Sequence, residues 1–217
     1  MGLILHEIIA SPPVRAVKLC LTELGLEAEY KTCNLLAREQ FSDEYLKLNP
    51  QHTVPTLEDG DLIVWDSHAI NAYLVSAYGK NDALYPKDPK VRALVDQRLH
   101  FDSGVLFSAL RNIGLKIFFK NEKEIPEEDK LRAREALDFA EKFLQGRKFI
   151  TGDTYNIADF SIYTTASALV ALVPGLEKYP NLAKYFDLCK SSFKGISHDE
   201  EGLQAFKGLV QQKLSGK

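Results

Sequence analysis

Along the first third of the chain, apolar residues alternate between short runs and helical spacing. Leu3-Ile4-Leu5 is an apolar run that reads as a buried strand. After Ser11-Pro12-Pro13, the residues Val14, Val17, Leu21 and Leu24 recur at helical spacing, with Gly25 as a C-terminal stop. Ala28 to Leu35 reads as a second strand. Thr53 to Leu57 and Leu62 to Trp65 flank Asp59-Gly60, a hairpin signal in which both residues accept positive φ. Ile70, Tyr73, Leu74 and Ala77 give the next helix its apolar face. The order is β-α-β, a segment that is helix or loop, then β-β-α.

Beyond this point no strand pattern recurs. Residues Gly79 to Pro89 combine two prolines, a glycine and charges, and read as a linker. Val91, Leu94, Val95, Leu99, Leu106 and Leu110 make one long helical stripe. Leu131 to Leu144 makes a second, with Leu137, Ala140, Phe143 and Leu144 on one face. Ile157 to Val173 is apolar nearly all round, the pattern of a central buried helix. Tyr179 to Phe193 and Leu203 to Leu214 add two more. The chain therefore reads as a small α/β domain (1–79), a linker (80–90) and an all-α domain (91–217).

Composition removes several function classes. With 217 residues and a net charge of −3, nothing electrostatic favours nucleic acid or an anionic membrane as partner. Cys20, Cys33 and Cys189 are widely spaced with no CxxC pair, which argues against a disulfide scaffold or zinc site and fits a reducing compartment. The start has no basic region ahead of its apolar residues, and His6 stands where a myristoylation signal wants Ser or Thr. No apolar stretch approaches the ~20 residues of a membrane span. A cytoplasmic protein without metal is expected.

Four places could carry chemistry. Ser11 sits at a strand-to-helix turn, either as a helix cap or as a hydroxyl that donates to a ligand anion in the helix's positive field. In His52-Thr53-Val54-Pro55, proline stands where a ladder donor is wanted, and a cis bond there would turn the Val54 amide and carbonyl outward. Asp66-Ser67-His68 opens a helix: the pair either caps it or holds the ammonium and carboxylate of an α-amino acid. Arg111 lies between Phe107 and Phe118-Phe119, a stripe more often core than binding site. Asn156-Ile157-Ala158-Asp159 has capping-box spacing and reads as structural.

Together these segments resemble the cytosolic glutathione transferases of insects, closest to the epsilon class, with delta as its neighbour. The resemblance rests on Ser11 to Val17, Leu48 to Leu57, Asp66 to Ile70, Leu84 to Pro89, His100 to Phe107 and Ile157 to Ser161, in that order along the chain. It implies a thioredoxin-like N-terminal domain, β-α-β-α-β-β-α, plus an all-α C-terminal domain. It also implies a cis Val54-Pro55 bond and a catalytic Ser11 hydroxyl that stabilises the thiolate of glutathione, the co-substrate. His52, Thr53, Val54, Pro55, Asp66, Ser67, His68 and Arg111 become its glutathione-binding residues. Leu35, Phe107, Leu110, Phe118, Phe119 and Phe206 become the hydrophobic-substrate pocket.

The implied activity is conjugation of glutathione to hydrophobic electrophiles in xenobiotic detoxification and insecticide metabolism, with possible peroxidase or dehydrochlorinase side activity, in a homodimer. A non-catalytic carrier of hydrophobic ligands and an interaction scaffold are the alternatives. Asp66 where relatives often have Glu, Gln40 where His is common, and Gly114 where a bulky residue is usual depart from the pattern.

Overall fold

Strand β1 (Leu3–Glu7) lies inside a four-stranded sheet of order β2-β1-β3-β4. It pairs in parallel with β2 (Ala28–Thr32), Leu5 opposite Tyr30, and antiparallel with β3 (Thr56–Asp59), Leu5 opposite Leu57. β4 (Leu62–Trp65) closes the hairpin. The computed structural model describes residues 2–215; Met1, Gly216 and Lys217, at the ends of the two expected domains, lie outside the described residues.

Helix α1 (Pro12–Leu24) opens with proline at its first positions, where a missing N–H costs nothing, and stops at Gly25 (φ 69°), whose left-handed backbone suits glycine. It buries Val14, Val17, Cys20 and Leu21. The undecided segment resolves into a 3₁₀ turn at Glu39–Phe41 and the short helix α2 (Asp43–Leu48), capped by Ser42, whose side chain accepts from Tyr45 N. Helix α3 (Ser67–Tyr78) completes the β-α-β-α-β-β-α order. This is a thioredoxin-like arrangement.

The remaining elements are helical: α4 (Pro89–Phe101), a π-helical turn (Asp102–Leu106), α5 (Phe107–Phe119), α6 (Glu127–Phe143), α7 (Ile157–Leu172), α8 (Pro180–Ser192) and α9 (Ile196–Ser215). α7 is buried on almost every side and packs on α1, α3, α4, α5, α8 and α9, so one core spans both halves. Its start is a complete capping box: Asn156 Oδ1 accepts from Ala158 N, while Asp159 accepts from Asn156 N and Ile150 N.

Several expectations need correcting. The hairpin loop is Gly60-Asp61, one residue later than the Asp59-Gly60 signal, because Asp59 pairs with Leu62 and only Gly60 takes positive φ (63°). β2 ends at Thr32, where Cys33 turns inward into a small cluster with Val14, Tyr45 and Val54. Thr53 and Val54 precede β3, which begins after Pro55. Ala77 is exposed; the buried face of α3 runs through Ser67, Ile70, Asn71, Leu74 and Val75. Val91, Leu94 and Leu131 belong to apolar stripes yet stand in solvent at 45%, 41% and 58% exposure. α9 starts seven residues before the Leu203 expected, at Ile196.

Candidate functional site

The C-terminal end of β1, the start of α1, the loop before β3, and α5 with α9 enclose a cavity of about 450 Å³. Ser11 lies on its wall at the N-cap position of α1. Its amide donates to Ile8 O (2.9 Å) and its carbonyl accepts from Arg15 N (3.0 Å). The hydroxyl, however, takes no first-turn amide. The backbone alone starts this helix, so the capping role weighed from sequence is absent and the hydroxyl is left to the cavity, beside the positive end of α1.

His52, Thr53 and Val54 line the same wall, while Pro55 lies behind them, joined to Val54 by a cis peptide bond. The loop that carries them is braced from below. Buried Asn49 donates through Nδ2 to Thr53 O (3.0 Å) and Thr56 Oγ1 (3.0 Å), and the Tyr45 hydroxyl donates to Thr53 O (2.7 Å). No described residue makes a backbone hydrogen bond with Val54, so its N–H and C=O stand ready for an extended ligand strand. The His52 ring packs 4.6 Å from that of Phe41.

Asp66 and Ser67 sit at the start of α3, outside the cavity wall proper. Here both sequence readings hold at once. Asp66 Oδ1 accepts from His68 N (2.9 Å) and Ala69 N (3.3 Å), which caps the helix, while Oδ2 has no partner among the described residues. The Ser67 hydroxyl, though its residue is buried, likewise has none. One free carboxylate oxygen beside a free hydroxyl suits an ammonium and a carboxylate on one carbon. Arg38, His52 and Asp66 all hold positive φ (64°, 48° and 72°), a conformation that costs free energy and gathers at working sites.

His68 is placed differently. Its Nε2 lies 2.9 Å from Asp102 Oδ2 in the π-helical turn, and it does not line the cavity. Burial pulls its pKa down, but the hydrogen bond and charge of Asp102, with Asp66 nearby, outweigh this and raise it above the usual value. Its ring joins α3 to the helical half.

The expected apolar lining assembles in full: Leu35, Phe107, Leu110, Phe118, Phe119 and Phe206 all face the cavity. Arg111 joins them, so that stripe serves the cavity as well as the core. Sequence reasoning missed Ile8, Leu36, Phe41, Leu115 and Leu209. Leu115 and Leu209 carried a signal, since they lie one turn from Arg111 and Phe206. The loop residues carried none. Gln40 is buried on this wall with Oε1 unpartnered among the described residues. Cys20, Cys33 and Cys189 are free and buried away from the cavity wall.

Comparison with known proteins matches this geometry. The family model for the glutathione S-transferase N-terminal domain matches residues 5–82, and that for the C-terminal domain matches residues 89–192. Glutathione S-transferase 1 of Manduca sexta is 42% identical over 218 residues, covering 99% of this chain and 100% of the relative. An epsilon-class glutathione S-transferase structure from the housefly, Musca domestica, superimposes with a TM-score of 0.93 at 47% identity, covering 97% of this chain and 98% of the other. A glutathione transferase homolog from Drosophila mojavensis, solved with bound glutathione, gives 0.94 at 48% identity, covering 98% and 97%.

Proposed function

The chain belongs to the glutathione S-transferase family, and from that premise we propose that Ser11 activates the glutathione thiol for attack on hydrophobic electrophiles. The supporting observation is the Ser11 hydroxyl, uncommitted at a helix N-terminus on the wall of an apolar cavity. In this reading the cysteinyl backbone of glutathione pairs with the free amide and carbonyl of Val54. The γ-glutamyl ammonium meets Asp66 Oδ2 and its carboxylate meets Ser67. The glycyl end runs past Thr53 toward His52.

Magnitudes decide whether Ser11 is enough. A free thiol with pKa ~8.5 is only a few per cent thiolate at neutral pH. Lowering that value by about two units needs ~2.7 kcal/mol of preference for the anion. A hydroxyl donating to the thiolate contributes about 1.5–3 kcal/mol, and the helix terminus about 0.3–1 kcal/mol. The sum reaches the requirement without a general base. The thiolate then forms a carbon–sulfur bond with the acceptor, either adding to an activated double bond or displacing a leaving group.

Detoxification of apolar xenobiotics, insecticides among them, is the use that the apolar walls support. Peroxidase or dehydrochlorinase chemistry would be a side reaction of the same thiolate. The chain is read as cytoplasmic; among the described residues no helix is long and apolar enough to cross a membrane. Residues 1–79 would form the glutathione-binding domain, 80–90 the linker and 91–217 the electrophile-binding domain. The exposed Leu62, Tyr78, Val91 and Leu94 support burial against a second copy, as a homodimer.

The test is the ultraviolet absorbance of bound glutathione thiolate against pH, in wild type and Ser11→Ala. The wild-type thiol should titrate about two units below its free value. Ser11→Ala should restore most of the difference and lower kcat by about one to two orders of magnitude. A thiol that titrates at its free value in the wild type overturns the role given to Ser11.

A further inference from the structure

Among the described residues no aspartate or glutamate lines the cavity, yet Arg38 and Arg111 do. The two cations come from opposite sides. Arg38 lines it on the sheet side together with His52. Arg111 stands on α5, amid the aromatic stripe, with Phe107 one turn before it and Phe118 two turns after.

Two other polar residues of this helix are spoken for. Asn112 donates to Asp129 Oδ1 (2.6 Å) and Lys116 pairs with Asp129 Oδ2 (2.5 Å). Arg111 has no hydrogen-bond or ion-pair partner among the described residues. One turn on, Gly114 has no side chain, which leaves space beside the guanidinium. Arg111 is exposed, so an anion it meets is held by a charge-assisted contact open to solvent and screened by salt.

Resting on the transferase reading, we propose that Arg111 selects the second substrate: an apolar electrophile that carries a carboxylate, held by the guanidinium fork while its reactive carbon meets the thiolate. Both carboxylates of glutathione have partners elsewhere in that reading, at Ser67 and toward His52, so Arg111 is left for the acceptor. The planar fork of arginine matches a carboxylate in two parallel hydrogen bonds, which lysine cannot reproduce.

A matched pair of acceptors tests this: 4-chloro-3-nitrobenzoate and its methyl ester, which differ in charge but share one reaction. The thiolate bonds to the carbon that bears chlorine, and chloride leaves with the carbon–chlorine pair. The quantity read is the ratio of kcat/KM for carboxylate over ester. It should fall about tenfold in Arg111→Gln and less in Arg111→Lys, and should fall in the wild type as salt screens the pair. A purely structural role would lower both acceptors together and leave the ratio unmoved.

An unmoved ratio overturns the proposal. A rise in KM for glutathione with the ratio unmoved overturns it too, and moves Arg111 to the tripeptide. If the wild type turns over neither acceptor, both are too weakly activated to report on the site. Binding of 1-anilinonaphthalene-8-sulfonate against neutral N-phenyl-1-naphthylamine then still reads Arg111. Arg111→Gln should weaken the sulfonate selectively, and equal effects on the two dyes overturn the assignment.

Discussion

Arg15 on α1 and Asp199 on α9 meet in a two-pronged ion pair, Nε to Oδ1 and Nη2 to Oδ2, both at 2.8 Å. Their side chains are 1% and 0% exposed, and Arg15 also donates to Ser167 Oγ (3.1 Å) on α7. This pair ties the helix that begins at Ser11 to the helix that brings Phe206 and Leu209 to the cavity. Removing one partner strands a buried charge. Arg15→Met or Asp199→Leu should each cost about 3–5 kcal/mol in urea unfolding, while the double variant should cost much less than the sum.

Two helical glycines should respond oppositely to alanine. At Gly114 a Cβ would lie 3.8 Å from the Phe118 ring, ordinary contact, so Gly114→Ala should gain about 0.5–1 kcal/mol from helix propensity. At Gly202 a Cβ would lie 2.6 Å from Ile9 O and 2.9 Å from Arg15 Cδ, an arginine held by two hydrogen bonds to Asp199 and unable to yield. Gly202→Ala should therefore destabilise by about 1–3 kcal/mol. Thermal unfolding of the two variants checks the sign. Gly114→Leu should also crowd the cavity and reduce turnover of bulky acceptors more than small ones.

The His68–Asp102 pair predicts a pH dependence. The fold raises the His68 pKa above its unfolded value, so the imidazolium is favoured in the native state. Its stabilisation is fully present below the unfolded value near 6.5 and is lost as pH rises through the higher folded value. Tm should fall from about pH 6 upward more steeply in wild type than in His68→Gln or Asp102→Asn. Parallel slopes in all three proteins would remove the pair from the account.

The capping box at α7 offers a test of the core. Asp159→Ala leaves two buried amides, Ile150 N and Asn156 N, without their acceptor. The expected loss is about 2–4 kcal/mol, larger than for Asn156→Ala, which frees Ala158 N. Denaturant titration of the two variants ranks them.

Much of this molecule could be read from its sequence because helices announce themselves locally. Gly25, the Asn156–Asp159 box and the nearly all-round apolar α7 act within one or two turns. Partners distant in sequence were not legible. Nothing near His68 names Asp102, 34 residues away, and nothing near Arg15 names Asp199, 184 residues away. Apolar periodicity also cannot tell a core from a surface awaiting a partner, which is why Val91 and Leu94 read like Val95 and Leu99. The hairpin slipped by one residue because Asp59 and Asp61 flank Gly60 symmetrically and only strand pairing chooses between them.

The π-helical turn at Asp102–Leu106 has the character of a gear between two shafts. Such a turn holds one residue more than the α-helix it interrupts, and each residue of a helix turns the chain by about 100°. Removing a single residue there would swing Phe107, Leu110 and Arg111 off the cavity together, whereas exchanging any of them leaves the others in place. The cavity wall is thus free to diversify letter by letter while its reading frame is locked.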